Sequence, residues 1–84
     1  MNAQATVDKA LADGTIDSDV HEAVTKAIHD DPGAFQEGMR ADPNAPNFTD
    51  RLLAALAWVQ ANWGTIQQDF NLILAIINSL KPKA

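Results

Sequence analysis

The strongest pattern in the sequence is a heptad repeat in its C-terminal half. Large apolar residues recur there at alternating intervals of four and three positions, the a/d spacing of a coiled-coil helix. The nine residues are Leu52, Leu56, Val59, Trp63, Ile66, Phe70, Ile73, Ile77 and Leu80. We call this set the heptad seam. Because it places all nine side chains on one helical face, it predicts a long amphipathic helix over about residues 50–80.

Charge divides the chain into two unlike halves. Residues 1–50 hold ten acidic and three basic side chains, whereas Asp69 is the one charged side chain between Leu52 and Leu80. The formal net charge of −5 argues against binding to nucleic acid, because a surface that binds nucleic acid is basic. We therefore expect the acidic half to face water and the charge-poor half to face protein or lipid.

Short helices with recognisable ends are expected in the acidic half. Asp13-Gly14 is typical of a helix end, Asp17 or Ser18 of a helix N-cap, and Asp31-Pro32 of a cap followed by proline at the first helical position. The chain therefore predicts an all-α fold, in which short acidic helices precede the heptad-patterned helix.

Two prolines and two asparagines separate these short helices from the heptad seam. Proline interrupts a helix, and asparagine favours turns, so this stretch predicts a linker. The 84 residues are then organised as a single domain with an acidic helical segment (1–42), a linker (43–48) and a self-associating amphipathic helix (49–81).

Gly64 lies in the middle of the heptad seam and leaves two arrangements open. A continuous helix would be about 46 Å long, whereas a compact domain of this size is about 30 Å across, so other copies would have to cover the seam. Alternatively, Gly64 ends one helix and Thr65 caps the next, which gives a helical hairpin broken at Gly64. Because the heptad phase is unchanged across Gly64, we favour the continuous helix.

The sequence offers little material for catalysis or metal binding. There is no cysteine, and the second histidine of a zincin motif beginning at His21 is replaced by Thr25. A calcium loop centred on Gly14 lacks carboxylates at its first, third and twelfth positions. We therefore expect no catalytic residue, no metal site and no cofactor, and the sequence predicts a protein that is not an enzyme.

The most favoured hypothesis is a structural or scaffolding protein that forms a homo-oligomer through the heptad seam, as a coiled coil or helical bundle within a larger assembly. One alternative is a small acidic helical protein that binds or inhibits a basic partner. Another is a membrane-active helical protein, although the apolar runs are short and the middle of the helix is polar. The N-terminus lacks a secretory signal, so we expect an intracellular protein or a component of an assembly made inside the cell.

Overall fold

The computed structural model describes residues 3–39, 42–67 and 69–79, without the side chains of residues 70 and 77–79. Within these residues the chain forms helices and no strand. The helices are α1 (Ala3–Ala12), α2 (Ser18–Asp30), α3 (Pro32–Met39), α4 (Phe48–Ala61), α5 (Trp63–Ile66) and α6 (Phe70–Ser79). The prediction of an all-α fold is therefore confirmed.

An antiparallel hairpin of α1 and α2 begins the fold, and local signals fix the turn between them. Gly14 has a φ of 80°, which glycine adopts without steric cost, and the Thr15 amide donates to the Ala10 carbonyl at 2.9 Å. Asp17 caps α2, since its Oδ1 accepts hydrogen bonds from the Asp19 and Val20 amides at 3.1 Å each.

The third helix follows at once and begins as the sequence predicts. Pro32 is its first residue, and the Asp31 carboxylate accepts a hydrogen bond from the Ala34 amide at 3.1 Å. Phe35 and Met39 lie on its buried face. The chain then turns through residues 42–47 before α4 begins.

One hydrophobic core joins all six helices named above, with α5 contributing Ile66. Its largest buried side chains come from both halves of the chain: Val7, Val20, Val24, Phe35, Met39, Phe48, Leu52, Leu56, Val59 and Ile73. α1 packs against α2 and α4, and α6 packs most extensively against α3 and also against α2 and α4. The molecule measures 31 × 25 × 22 Å, so each helix fits within it.

The continuous helix expected over residues 50–80 is not what the structure shows. α4 ends at Ala61, α5 contains 4 residues, and α6 begins at Phe70. Polar side chains satisfy the backbone at both breaks: Asn62 Nδ2 donates to the Trp58 carbonyl at 2.8 Å, and Asp69 Oδ1 accepts from the Leu72 amide at 3.1 Å. With these bonds the chain folds back and α6 covers α2 and α3.

Gly64 is not the point at which the helix breaks. It lies inside α5 without a positive φ, and the breaks fall on either side of it, at Asn62 and at Gln67. Gln67 carries the unusual conformation, with φ 17° and ψ 98°. The hairpin alternative therefore describes the bend in the chain but assigns it to the wrong residue.

Candidate interaction surfaces

Most of the heptad seam that the structure describes lies inside the molecule. Buried members are Leu52, Leu56, Val59, Ile66 and Ile73, and Trp63 is half-buried against the same core. The side chains of Phe70, Ile77 and Leu80 lie outside the described residues. Neighbouring helices of the same chain therefore cover most of the described part of the seam, so those residues do not need other copies to cover them.

A second apolar surface lies on the opposite side of α4. Its exposed residues are spaced three, one and three positions apart, which places them on one helical face: Ala54, Ala57, Trp58 and Ala61. We call this set the outer α4 stripe. The Trp58 side chain is 45% exposed, the largest value among the exposed large apolar residues described. α4 is therefore apolar on both faces, and only the inner face is packed in the monomer.

All eleven carboxylate side chains of the protein are exposed. Asp17, Asp31 and Asp69 cap helices, so they have a structural role. The other eight are exposed and make no helix-cap bond among the described residues: Asp8, Asp13, Asp19, Glu22, Asp30, Glu37, Asp42 and Asp50. The acids are densest around the start of α2, where residues 13–22 hold four acidic side chains, one histidine, and no lysine or arginine. We call residues 13–22 the acidic segment.

A reciprocal pair of bonds fixes the acidic segment to the end of α4. The Asp17 amide donates to Gln60 Oε1 at 2.8 Å, and Gln60 Nε2 donates to Asp17 Oδ2 at 3.2 Å. The amides of Val20 and Asp19, together with Gln60, hold the pKa of Asp17 below its ordinary value because they bond to its charged form, the Val20 bond most strongly. Asp17 is thereby kept ionised and fixed in position.

A polar network crosses the α1–α2 hairpin. His21 Nε2 lies 2.7 Å from Asp8 Oδ1, and Gln4 Nε2 donates to the same oxygen at 2.9 Å and to Thr25 Oγ1 at 3.1 Å. The hydrogen bond with His21, and then the one from Gln4, lowers the pKa of Asp8 from its ordinary value. We call these four residues the hairpin network.

Neither metal chemistry nor a membrane span is supported by the described parts of the chain. No group of three or more histidine, aspartate or glutamate side chains there is placed to hold a metal ion. His21 pairs with Asp8, and His29 is exposed at the end of α2. In residues 3–39, 42–67 and 69–79, every helix is too short or too polar to cross a membrane.

Sequence reasoning missed the outer α4 stripe and the hairpin network. Ala54, Ala57, Trp58 and Ala61 repeat at helical spacing, but the larger residues of the seam dominate the same segment. The hairpin network has a weaker signal, since residues 4 and 25 and residues 8 and 21 face each other only once the two helices are antiparallel. The apolar repeat within one helix does not predict which polar side chains of two helices come into contact.

The chain matches no protein-family model, no curated protein and no solved structure. Its function must therefore be argued from its own surfaces.

Proposed function

We propose that the protein is a non-enzymatic binding module that presents its acidic segment to a basic surface on a partner protein. The observation that carries this proposal is the exposure of all eleven carboxylates in a molecule whose described seam residues are largely buried. A fold that uses its apolar face for its own core leaves charge as the main property of its surface.

The acidic segment is the part of this surface best suited to a partner. Asp13, Asp19 and Glu22 are exposed there, and Asp17 is held in place by its cap bonds and by Gln60. An array of like charges attracts a basic partner over several ångströms and raises its association rate. Each exposed ion pair contributes only about 0.2–1 kcal/mol, so the recognition depends on several carboxylates acting together.

Two sets of substitutions distinguish binding at the acidic segment from attraction by the overall negative charge of the protein. The first replaces Asp13→Asn, Asp19→Asn and Glu22→Gln within the acidic segment. The matched control replaces Asp30→Asn, Glu37→Gln and Asp50→Asn, which are also exposed and remove the same charge elsewhere. Binding of an oligolysine peptide, followed by isothermal titration calorimetry, is expected to weaken about tenfold in the first set and much less in the control.

Salt provides an independent measurement on the unmodified protein. Affinity for the same peptide should fall steadily as sodium chloride is raised, because ions screen exposed charges. Equal weakening by both sets of substitutions, or binding that is insensitive to salt, would contradict a partner site at the acidic segment. Circular dichroism of each variant shows that the fold is retained.

Self-association is a second candidate function, favoured by the exposure of Trp58 on the outer α4 stripe. Three alanines beside it would allow a second helix to approach closely, and a large aromatic residue contributes much of the energy of many interfaces. This hypothesis retains the homo-oligomer of the sequence analysis but moves its contact from the heptad seam to the opposite face of α4. Sedimentation equilibrium tests it: a monomer at every protein concentration would exclude it, whereas a dimer lost in Trp58→Ala would support it.

A further inference from the structure

We infer that two copies of this chain exchange α6, so that α4, α5 and α6 of each copy join into one continuous helix and each α6 packs on the core of the other copy. The inference concerns the heptad seam. It is independent of the acidic segment and of the outer α4 stripe.

The unbroken phase of the heptad seam is the observation that the monomer does not explain. α4 and α6 are separate helices in the structure, with α5 between them. Each needs a buried apolar face, but two separate helices have no reason to keep those faces in one register. A single helix does need that register, because its seam stays on one face only while the intervals of four and three continue. The register therefore indicates a second conformation in which these helices are joined.

Few side-chain bonds hold the breaks between these helices. Asn62 Nδ2 donates to a carbonyl of α4 at 2.8 Å, and Asp69 Oδ1 accepts from an amide of α6 at 3.1 Å. The sequence from residue 48 to residue 79 has no proline, and a helical glycine such as Gly64 costs only about 1 kcal/mol relative to alanine. Straightening of the chain between α4 and α6 therefore has a small local cost.

A second copy offers α6 the same contacts that it makes in the monomer. α6 packs against α3, α2 and α4, and its Ile73 side chain is fully buried. Exchange of an identical element between two copies keeps such contacts and changes only the connecting segment. The α6 sequence has no charged residue, so its transfer brings no like charge to the acidic second copy.

Straightening also gives the two copies a new contact. Trp63 and Ile66 continue the seam of α4 at intervals of four and three. In the joined helix they leave the core of their own copy, and the same two residues of the second copy provide a matching apolar surface across the two-fold axis. Ile66 is buried and Trp63 half-buried in the monomer, so this contact replaces burial that straightening removes.

Substitutions at the breaks test the exchange in opposite directions. Asn62→Ala combined with Asp69→Ala removes both side-chain bonds and favours helix, so the association constant of the dimer should rise about tenfold or more. Gly64→Pro should abolish the dimer, because proline breaks a continuous helix but is tolerated in the first turn of α5. Gly64→Ala is the matched control and should retain the dimer. Sedimentation equilibrium over a range of protein concentrations measures each association constant.

NMR of the dimer shows whether α6 has been exchanged. In dimers of one isotopically labelled and one unlabelled chain, the contacts of α6 with α3 should appear between the two chains. The Cα chemical shifts of Asn62 and Gln67 should become helical, whereas in the monomer these residues are the C-caps of α4 and α5.

Three outcomes would overturn the inference. One is a monomer at every concentration when Asn62→Ala and Asp69→Ala are combined. Another is equal dimerisation of Gly64→Pro and Gly64→Ala. The third is a dimer in which the contacts of α6 with α3 stay within one chain, and loss of that dimer in Trp58→Ala would assign it to the outer α4 stripe. A folding defect in Gly64→Pro leaves the combined alanine variant as a test.

Discussion

The two halves of the molecule are both helical, but their helices end for different reasons. Local signals mark the two junctions within α1 to α3: Gly14 and Asp17 lie between α1 and α2, and Asp31 and Pro32 lie between α2 and α3. In α4 to α6 the apolar repeat continues through the boundaries, where Asn62 bonds to the backbone at the end of α4 and Asp69 caps the start of α6. The comparison teaches that a repeat of apolar residues determines which face is buried, whereas polar residues between them determine how long each helix runs.

The largest expected effect comes from the buried face of α4. Leu56 is fully buried, so Leu56→Ala should lower the free energy of unfolding by about 2–5 kcal/mol. The control Leu72→Ala, at a residue that is 38% exposed in the same half, should change it by about 0.5 kcal/mol or less. Urea denaturation measures both. If both variants lowered the free energy of unfolding by a similar small amount, α4 would not bury its part of the heptad seam within the monomer.

Substitution of three glycines by alanine tests the backbone conformation at each position, one in the turn after α1 and two inside helices. Gly14→Ala should destabilise the protein by about 1–2 kcal/mol, because φ is 80° there. Gly64→Ala should stabilise it by up to about 1 kcal/mol, since the residue is helical and an added Cβ meets nothing within 4 Å. Gly33→Ala, in the helical α3 of the acidic half, is the control and should also stabilise it. Thermal unfolding gives all three signs, and a destabilising Gly64→Ala would contradict a helical α5.

The start of α6 provides a sharper test of the broken helix. Asp69→Ala removes the cap bond to the Leu72 amide and should lower the free energy of unfolding by about 1 kcal/mol, whereas Asp69→Asn retains a capping side chain. In one continuous helix the alanine would instead be stabilising, because alanine is the best helix former. Chemical denaturation of both variants therefore distinguishes the two arrangements by the sign of the change.

The smallest expected effect is acid sensitivity of the first hairpin. The pKa values of Asp8 and Asp17 are below the ordinary 3.8, so their contribution to stability is present above that pH and is lost as the pH falls through the lowered values. Both residues contact α2. Acid should therefore reduce amide protection in α1 and α2 before α6, and Asp8→Asn should reduce this difference. Loss of amide protection at the same pH in all helices would contradict this prediction.

Much of the fold could be predicted from the sequence, and the limits have a physical cause. The end of α1 near Gly14 and the start of α3 at Pro32 depend on neighbours in the chain, so local patterns identify them. The same patterns narrow the cap of α2 to Asp17 or Ser18. The buried face of α4 is also encoded locally, since Leu52, Leu56 and Val59 repeat at helical spacing. The position of α6 against α3 depends on tertiary packing, which an apolar repeat does not specify.

The candidate surfaces were harder to predict for the same reason. The acidity of residues 13–22 is evident from composition, but the fixed position of Asp17 depends on Gln60, which lies far away in the chain. Trp58 is apolar and lies beside the seam, so its exposure follows only once α4 is packed by its inner face. The preserved heptad phase across Gly64 favoured a continuous helix, but phase alone does not outweigh the backbone bonds of Asn62 and Asp69.

The paired bonds between Asp17 and Gln60 have a consequence for how the protein unfolds. They join positions 43 residues apart and tie the first loop to the far end of α4. The same aspartate also caps α2, so separation of α4 would weaken the start of a helix in the other half of the chain. The two halves differ in charge, but they are not independent in unfolding. Unfolding at the start of α2 or at the end of α4 would break the bonds between Asp17 and Gln60 and so weaken the other helix.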